Sequence, residues 1–332
     1  MSSNIAQCIH RLGITGLLVA GVLAGPAAAD TATWPQEQPI RLIVPFAPGG
    51  ATDSMGRLIA NELSNHLKQS VVVENRPGGG GNIGSNLVAK AKPDGYTLLF
   101  GAAGNITINP SLFDNMPYSP ERDLSPVALV SQSMNVLVVP AALPVDSVSE
   151  FIDYAKQNAE TLNHGSSGNG GTSHLAGELF NSMAGMKITH VPYQGSGPAM
   201  VDLLAGRVHV MFDNLPSALP HVHSGKLKAL GVTGPARSDE LPDVPTIAES
   251  GLDGFEATTW FGIFAPAGTP EAIQERLNSL VNTIMREPAN QEKLKSMAAY
   301  VQPTSRGEFA DLIKRDTEKW ARVIKTAGIS LE

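Results

Sequence analysis

After Trp34 the chain alternates between short apolar runs and stretches in which apolar residues recur every third or fourth position. The runs at Ile40–Val44, 71–73 and 96–100 predict buried strands. Between them, 53–69 reads as a helix with Met55, Leu58, Ile59, Leu63 and Leu67 on one face, and 83–91 as a second helix opened by the glycines Gly78 to Gly81. The order β-α-β-α-β predicts a parallel, doubly wound sheet. Ligands of such sheets collect outside the carboxyl ends of the strands. The loops 45–52, 75–82 and 101–109, the last with Ala103 and Asn105, all fall on that edge.

A second unit of the same kind follows. Strands are predicted at 136–139, 188–191, 208–212 and Leu227–Val232, with helices at Val148–Asn158, 172–183 and 199–204. A strand at 260–264 precedes two amphipathic helices, marked by Ile273, Leu277, Leu280, Val281 and Ile284 and then by Phe309, Leu312, Ile313, Trp320 and Val323. These helices have no sheet of their own, so they are expected to pack back on the first unit, with chain crossings near 131–135 and 255–260. The expected fold class is therefore α/β, two doubly wound lobes with a hinge and a central cleft. Lobe 1 would hold 30–132 plus 258–332, and lobe 2 would hold 133–257.

Two loops carry the candidate chemistry. At Val44-Pro45-Phe46-Ala47-Pro48-Gly49-Gly50-Ala51-Thr52-Asp53 a strand runs through a Pro/Gly turn into a helix, with Thr52 or Asp53 as the expected N-cap. Gly49 and Gly50 allow close backbone approach, and the free N–H groups and dipole of the helix start favour an anion without any Lys or Arg. Phe46 would supply an apolar wall. Far downstream, Gly165-Ser166-Ser167-Gly168-Asn169-Gly170-Gly171-Thr172-Ser173 also leads into a helix, with Thr172 and Ser173 as candidate caps. Asp213 ends a strand at the same edge. It reads either as a turn residue or as a partner for an ammonium or hydroxyl on a ligand.

The amino terminus changes where such a site would work. Arg11, the apolar run 12–23 and Ala27-Ala28-Ala29 predict a cleaved secretory signal over 1–29, hence a periplasmic protein. Removing residues 1–29 from 332 leaves 303 without a cysteine, since Cys8 is the only one; disulfides and cysteine-held metals are excluded. Losing Arg11 takes the formal charge from −7 to −8. An acidic exported chain without basic runs argues against nucleic acid and anionic membrane surfaces as partners.

Three other chemistries are weaker. Gly79-Gly80-Gly81-Asn82-Ile83-Gly84 fits G-x-G-x-x-G, but lacks the acidic residue that a dinucleotide site needs about 20 positions on. Ser166 or Ser167 near His164 and His174 could suggest a serine hydrolase, yet no Gly-x-Ser-x-Gly elbow occurs. His221 and His223 stand two apart, which does not place them on one helix face, and they lack a third metal ligand nearby.

Taken in order, Pro45-Phe46-Ala47-Pro48-Gly49-Gly50, Glu74-Asn75-Arg76-Pro77-Gly78, Pro93-Asp94-Gly95-Tyr96-Thr97-Leu98, Ser166-Ser167-Gly168-Asn169-Gly170, His190-Val191-Pro192-Tyr193, Met211-Phe212-Asp213-Asn214, Leu241-Pro242-Asp243-Val244-Pro245-Thr246 and Trp260-Phe261-Gly262 form a specific set. Across nearly all of 34–330 the chain resembles the Bug-type solute receptors of tripartite tricarboxylate transporters. The resemblance implies two α/β lobes closing on a small carboxylate, with no catalysis, no cofactor and no metal. It also implies a monomer that delivers its ligand to membrane permease subunits; a receptor feeding a membrane sensor would use the same closed form. By resemblance, one carboxylate is held by backbone N–H groups at Phe46, Gly49, Gly50, Ala51, Thr52 and Asp53. The rest of the ligand meets Ser167, Gly168, Gly171, Thr172 and Ser173, and Gln194 and Gly195 after Tyr193. Gln194 replaces a frequent Lys or Arg of the family, and Ser196 a frequent Gly. With Arg76 the only cation in these loops, a third ligand carboxylate would lack a partner, so a mono- or dicarboxylate is expected.

Overall fold

The computed structural model describes residues 34–329 except 159 and 302, so the signal segment expected at 1–29, with Cys8, lies outside the described residues. β1 (Ile40–Val44), α1 (Ala51–Leu67), β2 (Val71–Asn75), α2 (Asn82–Ala89) and β3 (Thr97–Ala102) follow the expected order, with β1 parallel to both neighbours. Met55, Ile59 and Leu63 of α1 are fully buried against this sheet. Burial of each such side chain is worth about 1.5–3 kcal/mol, which fixes the face that α1 presents and hence the direction of its amino terminus.

Beyond β3 a π-helical turn over Gly104–Ile108 leads through the single-turn helices α3 (Asn109–Leu112) and α4 (Pro120–Asp123) into β4 (Leu124–Pro140). The second unit then runs α5 (Val148–Asn158), β5 (Asn163–Ser166), α6 (Thr172–Ala184), β6 (Thr189–Pro192), α7 (Ser196–Leu204), β7 (Val210–Asn214), α8 (Leu215–His223) and β8 (Leu227–Val232). β9 (Thr258–Pro266) returns to the first unit. It is followed by α9 (Glu271–Arg286), α10 (Pro288–Ser296), β10 (Ala299–Tyr300) and α11 (Arg306–Ala327).

The strand order is β2-β1-β3-β9-β4-β7-β5-β6, with β8 and β10 both paired to β4. β5, β6 and β7 run parallel, as β1 to β3 do, but β9 and β4 are antiparallel to their neighbours. The sheet is thus mixed, where a parallel one was expected. β4 is the cause. Its 17 residues pair with β9 as far as Met134 and with β7 and β8 from Asn135 onward, so one strand belongs to both halves.

The first core gathers α1, β1, β3, β9 and α9; the second gathers Phe151, Phe180, Phe212 and Phe255; a third packs Val136, Val138 and Met211 under α7 and α8. α11 departs from the expectation that the last helices pack on the first unit alone. Its Phe309 enters the first core, while Trp320 and Ile324 enter the second. Between them the half-buried Asp316 accepts hydrogen bonds from Trp260 Nε1 (3.0 Å) on β9 and Thr107 Oγ1 (3.0 Å) on the π-helical turn. Asp316→Ala would leave the Trp260 N–H unpaired, and a loss of about 1–3 kcal/mol is expected in urea unfolding.

Candidate ligand-binding cleft

Three loops of the first half meet three of the second. The turn 45–50 faces 194–197, where the Ala47 N–H donates to the Gln194 carbonyl (2.8 Å). The glycines 78–81 face 168–169, and Gly104 faces Gly170 and Gly171. The approach is so close that a Cβ on Gly80 would lie 2.0 Å from the Asn169 carbonyl oxygen, and one on Gly104 2.9 Å from that of Gly170. Between the loops remains a cavity of about 210 Å³. Phe46 and the glycines 78–81 wall it on one side, Ser167, Gly168, Asn169, Pro192, Tyr193 and Gln194 on the other, with Phe113 alongside. None of these lining residues is charged.

Three helices begin at this seam, and the caps differ from expectation. Gly50, Gly171 and Gly195 are the N-caps of α1, α6 and α7, and none makes a side-chain cap hydrogen bond. Thr52, Asp53, Thr172 and Ser173, expected as caps, lie inside the first turns. A glycine cap offers no side-chain oxygen, so the N–H groups of Ala51, Thr52 and Asp53, and of Thr172, Ser173 and His174, have no acceptor within their helices. Such donors, together with the dipole, are receptive to an anion.

Each remaining candidate has a definite place. Asp53 is buried, and its carboxylate is committed to the Gly49 N–H (3.1 Å), Arg57 and Asn75, which hold it below the usual carboxylate range despite burial; it braces the turn, and only its backbone N–H is free for an anion. Ala103 and Asn105 are fully buried. Asn105 Oδ1 accepts from the Ala102 N–H (2.9 Å) and its Nδ2 donates to Ser85 Oγ (2.8 Å), so this side chain has its polar atoms occupied and supports the wall from behind. Phe46, Ser167, Gly168 and Gln194 line the cavity, and Gly195 packs against Ala47. Ser173 Oγ is buried without a partner among the described residues. Asp213 is buried and receives Ser196 Oγ (2.6 Å). Arg76 turns away to Glu74, whose carboxyl is pushed down to about 2, chiefly by Arg41.

Sequence reasoning missed Phe113, Asn169, Tyr193 and Ser196 as parts of the cleft. Asn169, Tyr193 and Ser196 lay within loops already singled out, and Phe113 alone of the four carried no signal. The glycines 78–81 were legible as a tight turn, and the structure makes them a wall.

The serine–histidine proximity that could have suggested a hydrolase takes another form. Ser166 Oγ lies 2.6 Å from His190 Nε2, and neither His164 nor His174 bonds it. Ser166 is fully buried and also bonds the Gly168 backbone, so it shapes the loop without meeting the cavity. The rings of His164, His174 and His190 stack beneath it (4.0–6.4 Å between centroids), with Glu178 Oε1 3.1 Å from His164 Nε2. Burial pushes His174 down to about 4 and His190 down to about 2, so these two rings are neutral at ordinary pH. His221 and His223 sit at the exposed end of α8.

Two α/β halves joined by shared strands, with loops closed over a polar but uncharged cavity, define a cleft-type solute receptor. The family model described as "Tripartite tricarboxylate transporter family receptor" matches residues 55–329, and the chain belongs to this family. Protein BugT of Bordetella pertussis is 38% identical over 323 residues, covering 97% of this chain and 98% of its own. Among solved structures, R. palustris Rpa4515 with adipate superposes with a TM-score of 0.87 at 41% identity, over 90% of this chain and 99% of that one. MatC from Rhodopseudomonas palustris with bound malate gives 0.84 at 34%, over 87% and 99%. The family is one of receptors.

Proposed function

We propose that this chain is an exported receptor that captures a mono- or dicarboxylate between its halves and presents the closed form to permease subunits of a tripartite transporter. On this reading residues 1–29 are removed on export and the mature protein acts as a monomer in the periplasm. The halves are 30–132 with 258–332, and 133–257, and no group beyond the ligand is needed. The observation that carries it is the set of glycine-capped helix starts, α1, α6 and α7, gathered at one seam with their first-turn donors uncapped.

An anion there is held by dipoles, since neither the cavity walls nor the overall charge of −7 attracts it. Closure strengthens each such contact by excluding water. Two carboxylates can each take a helix start; a third would be desolvated without a partner. The adipate and malate seen in the related structures are both dicarboxylates, which supports this reading.

Thermal unfolding of the mature protein, refolded to remove carried-over ligand, tests it against mono-, di- and tricarboxylates. A ligand at about 100 times its Kd adds about 2.7 kcal/mol and raises Tm. The expected result is a rise with mono- or dicarboxylates and none with tricarboxylates; no rise with any carboxylate would refute the reading. Gly50→Val supplies a second check. Gly50 has extended backbone (φ −94°, ψ 176°) that valine tolerates, but its Cβ would sit 3.1 Å from Ser196 Cβ across the seam. Titration calorimetry is expected to show ligand binding lost in this variant while Tm without ligand stays within a few degrees. Ester or amide turnover abolished by Ser167→Ala would instead identify a hydrolase.

A further inference from the structure

Asp213 is the one buried carboxylate at the seam whose chemistry the receptor reading leaves unused. It is the penultimate residue of β7, with no exposed surface. Oδ1 accepts the Ser196 hydroxyl at 2.6 Å, while Oδ2 is buried with no hydrogen-bond partner among the described residues. No Lys, Arg or His forms an ion pair with it among those residues. Its neighbour Ser196 opens α7, and the Ser196 Cβ is 3.1 Å from where a Cβ on Gly50, the cap of α1, would stand. The Asp213 carboxylate is thus one hydroxyl removed from the point where the starts of α1 and α7 face each other.

A carboxylate taken wholly out of water, with one oxygen unpaired and no cation nearby, costs stability unless something donates to it. Among the described residues no group donates to Oδ2. A ligand carboxylate held by the N–H groups at the start of α1 would lie across the seam from Ser196, whose hydroxyl meets Asp213.

We propose that Asp213 selects the ligand, its Oδ2 accepting a hydrogen bond from an N–H or O–H donor on the carbon next to the ligand's bound carboxylate. The preferred ligands are then α-amino or α-hydroxy acids, and unsubstituted acids of the same length bind more weakly. This rests on the carboxylate-receptor reading and narrows it. Ammonium and hydroxyl share the donor chemistry, and the test separates them.

The experiment is titration calorimetry of the mature, ligand-stripped protein with two matched sets: succinate, (S)-malate and (S)-aspartate, then glutarate, (S)-2-hydroxyglutarate and (S)-glutamate. The expected result is that a substituted member binds at least about tenfold more tightly than its unsubstituted parent in the better-binding set, as for a hydrogen bond to a charged group. Preference for the amino member identifies an ammonium, and preference for the hydroxy member identifies a hydroxyl. Asp213→Asn, a near-isosteric change that retains an acceptor oxygen without the charge, is expected to remove most of that preference. Equal or tighter binding of the parents in both sets overturns the inference and leaves the receptor reading standing. So does an undiminished preference in Asp213→Asn. Failure of all six acids and of longer or shorter carboxylates overturns the receptor reading itself. The wild-type comparison needs no variant, so the inference stays testable if Asp213→Asn folds poorly.

Discussion

Gly80→Ala is expected to hold the cleft open and raise the apparent Kd for carboxylates by about 100-fold, with cooperative unfolding retained. The added Cβ would lie 2.0 Å from the Asn169 carbonyl oxygen, a backbone atom of the facing loop that cannot rotate aside. The two loops must therefore separate, while nothing in either core is touched. If closure is needed for tight binding, a variant that populates the closed form only about 1% of the time binds about 100-fold more weakly. Gly80 also has φ +62°, so alanine adds about 1–2 kcal/mol of left-handed strain, which shows as a modest drop in Tm without ligand. Gly104→Ala separates the two effects. Its backbone is not left-handed, yet its Cβ would meet Gly170 O and Gly171 Cα, each at 2.9 Å. Calorimetry should show weakened binding in both variants. Native affinity in both would mean that the cleft does not need this closure.

Asp213→Asn is expected to stabilise the ligand-free protein at pH 7. Burial pushes the Asp213 carboxyl up to about 6 from 3.8, against which Ser196 and the Asn214 backbone only partly act. The folded form therefore binds the proton more tightly than the unfolded chain. The stability from this group is fully present below about pH 4 and is lost as pH rises through 6. Above that, the buried charge costs on the order of 3 kcal/mol, from about 1.4 kcal/mol per pH unit. Asparagine carries no such charge. The gap between variant and wild type should be small at pH 4, open between pH 4 and 6, and stay level above pH 7. Glu74 acts in the opposite sense, its carboxyl held at about 2 mainly by Arg41, but it is common to both proteins and cancels in the difference. Urea unfolding across this pH range reads the gap; a difference independent of pH would mean that Asp213 is not a buried charge. Such a site trades stability for ligand recognition.

Much of this was legible in the residues. The stripe Met55, Ile59, Leu63 gave the buried face of α1, and Ile273, Leu277, Val281, Ile284 that of α9, because a helix in a core buries one row of side chains. Periodicity names a face but not a neighbour, which is why the single stripe of α11 concealed its division between two cores. β4 was visible only at 136–139. Upstream of that, Pro126, Ser131, Gln132 and Ser133 break the apolar pattern, and register shifts occur between Pro126 and Ala128 and between Leu129 and Ser131. α10 is largely polar and was not predicted. The caps failed for a reason that bears on function: the ordinary rule favours Ser, Thr or Asp, whereas three helices at the cleft begin on glycine and leave their donors open. Phe113 reaches the cavity wall through the π-helical turn, a feature with no local sequence mark.

On the proposed reading a carboxylate is held by backbone N–H groups at facing helix starts. Amide ¹H–¹⁵N resonances of the mature protein, followed through titration with a carboxylate that raises Tm, test it most directly. The amides of Ala51, Thr52 and Asp53, and of Thr172, Ser173 and His174, are expected to show the largest shifts, moving in the direction of hydrogen bonding to an anion. Binding that leaves these six amides unmoved, with the changes clustered elsewhere, would contradict it.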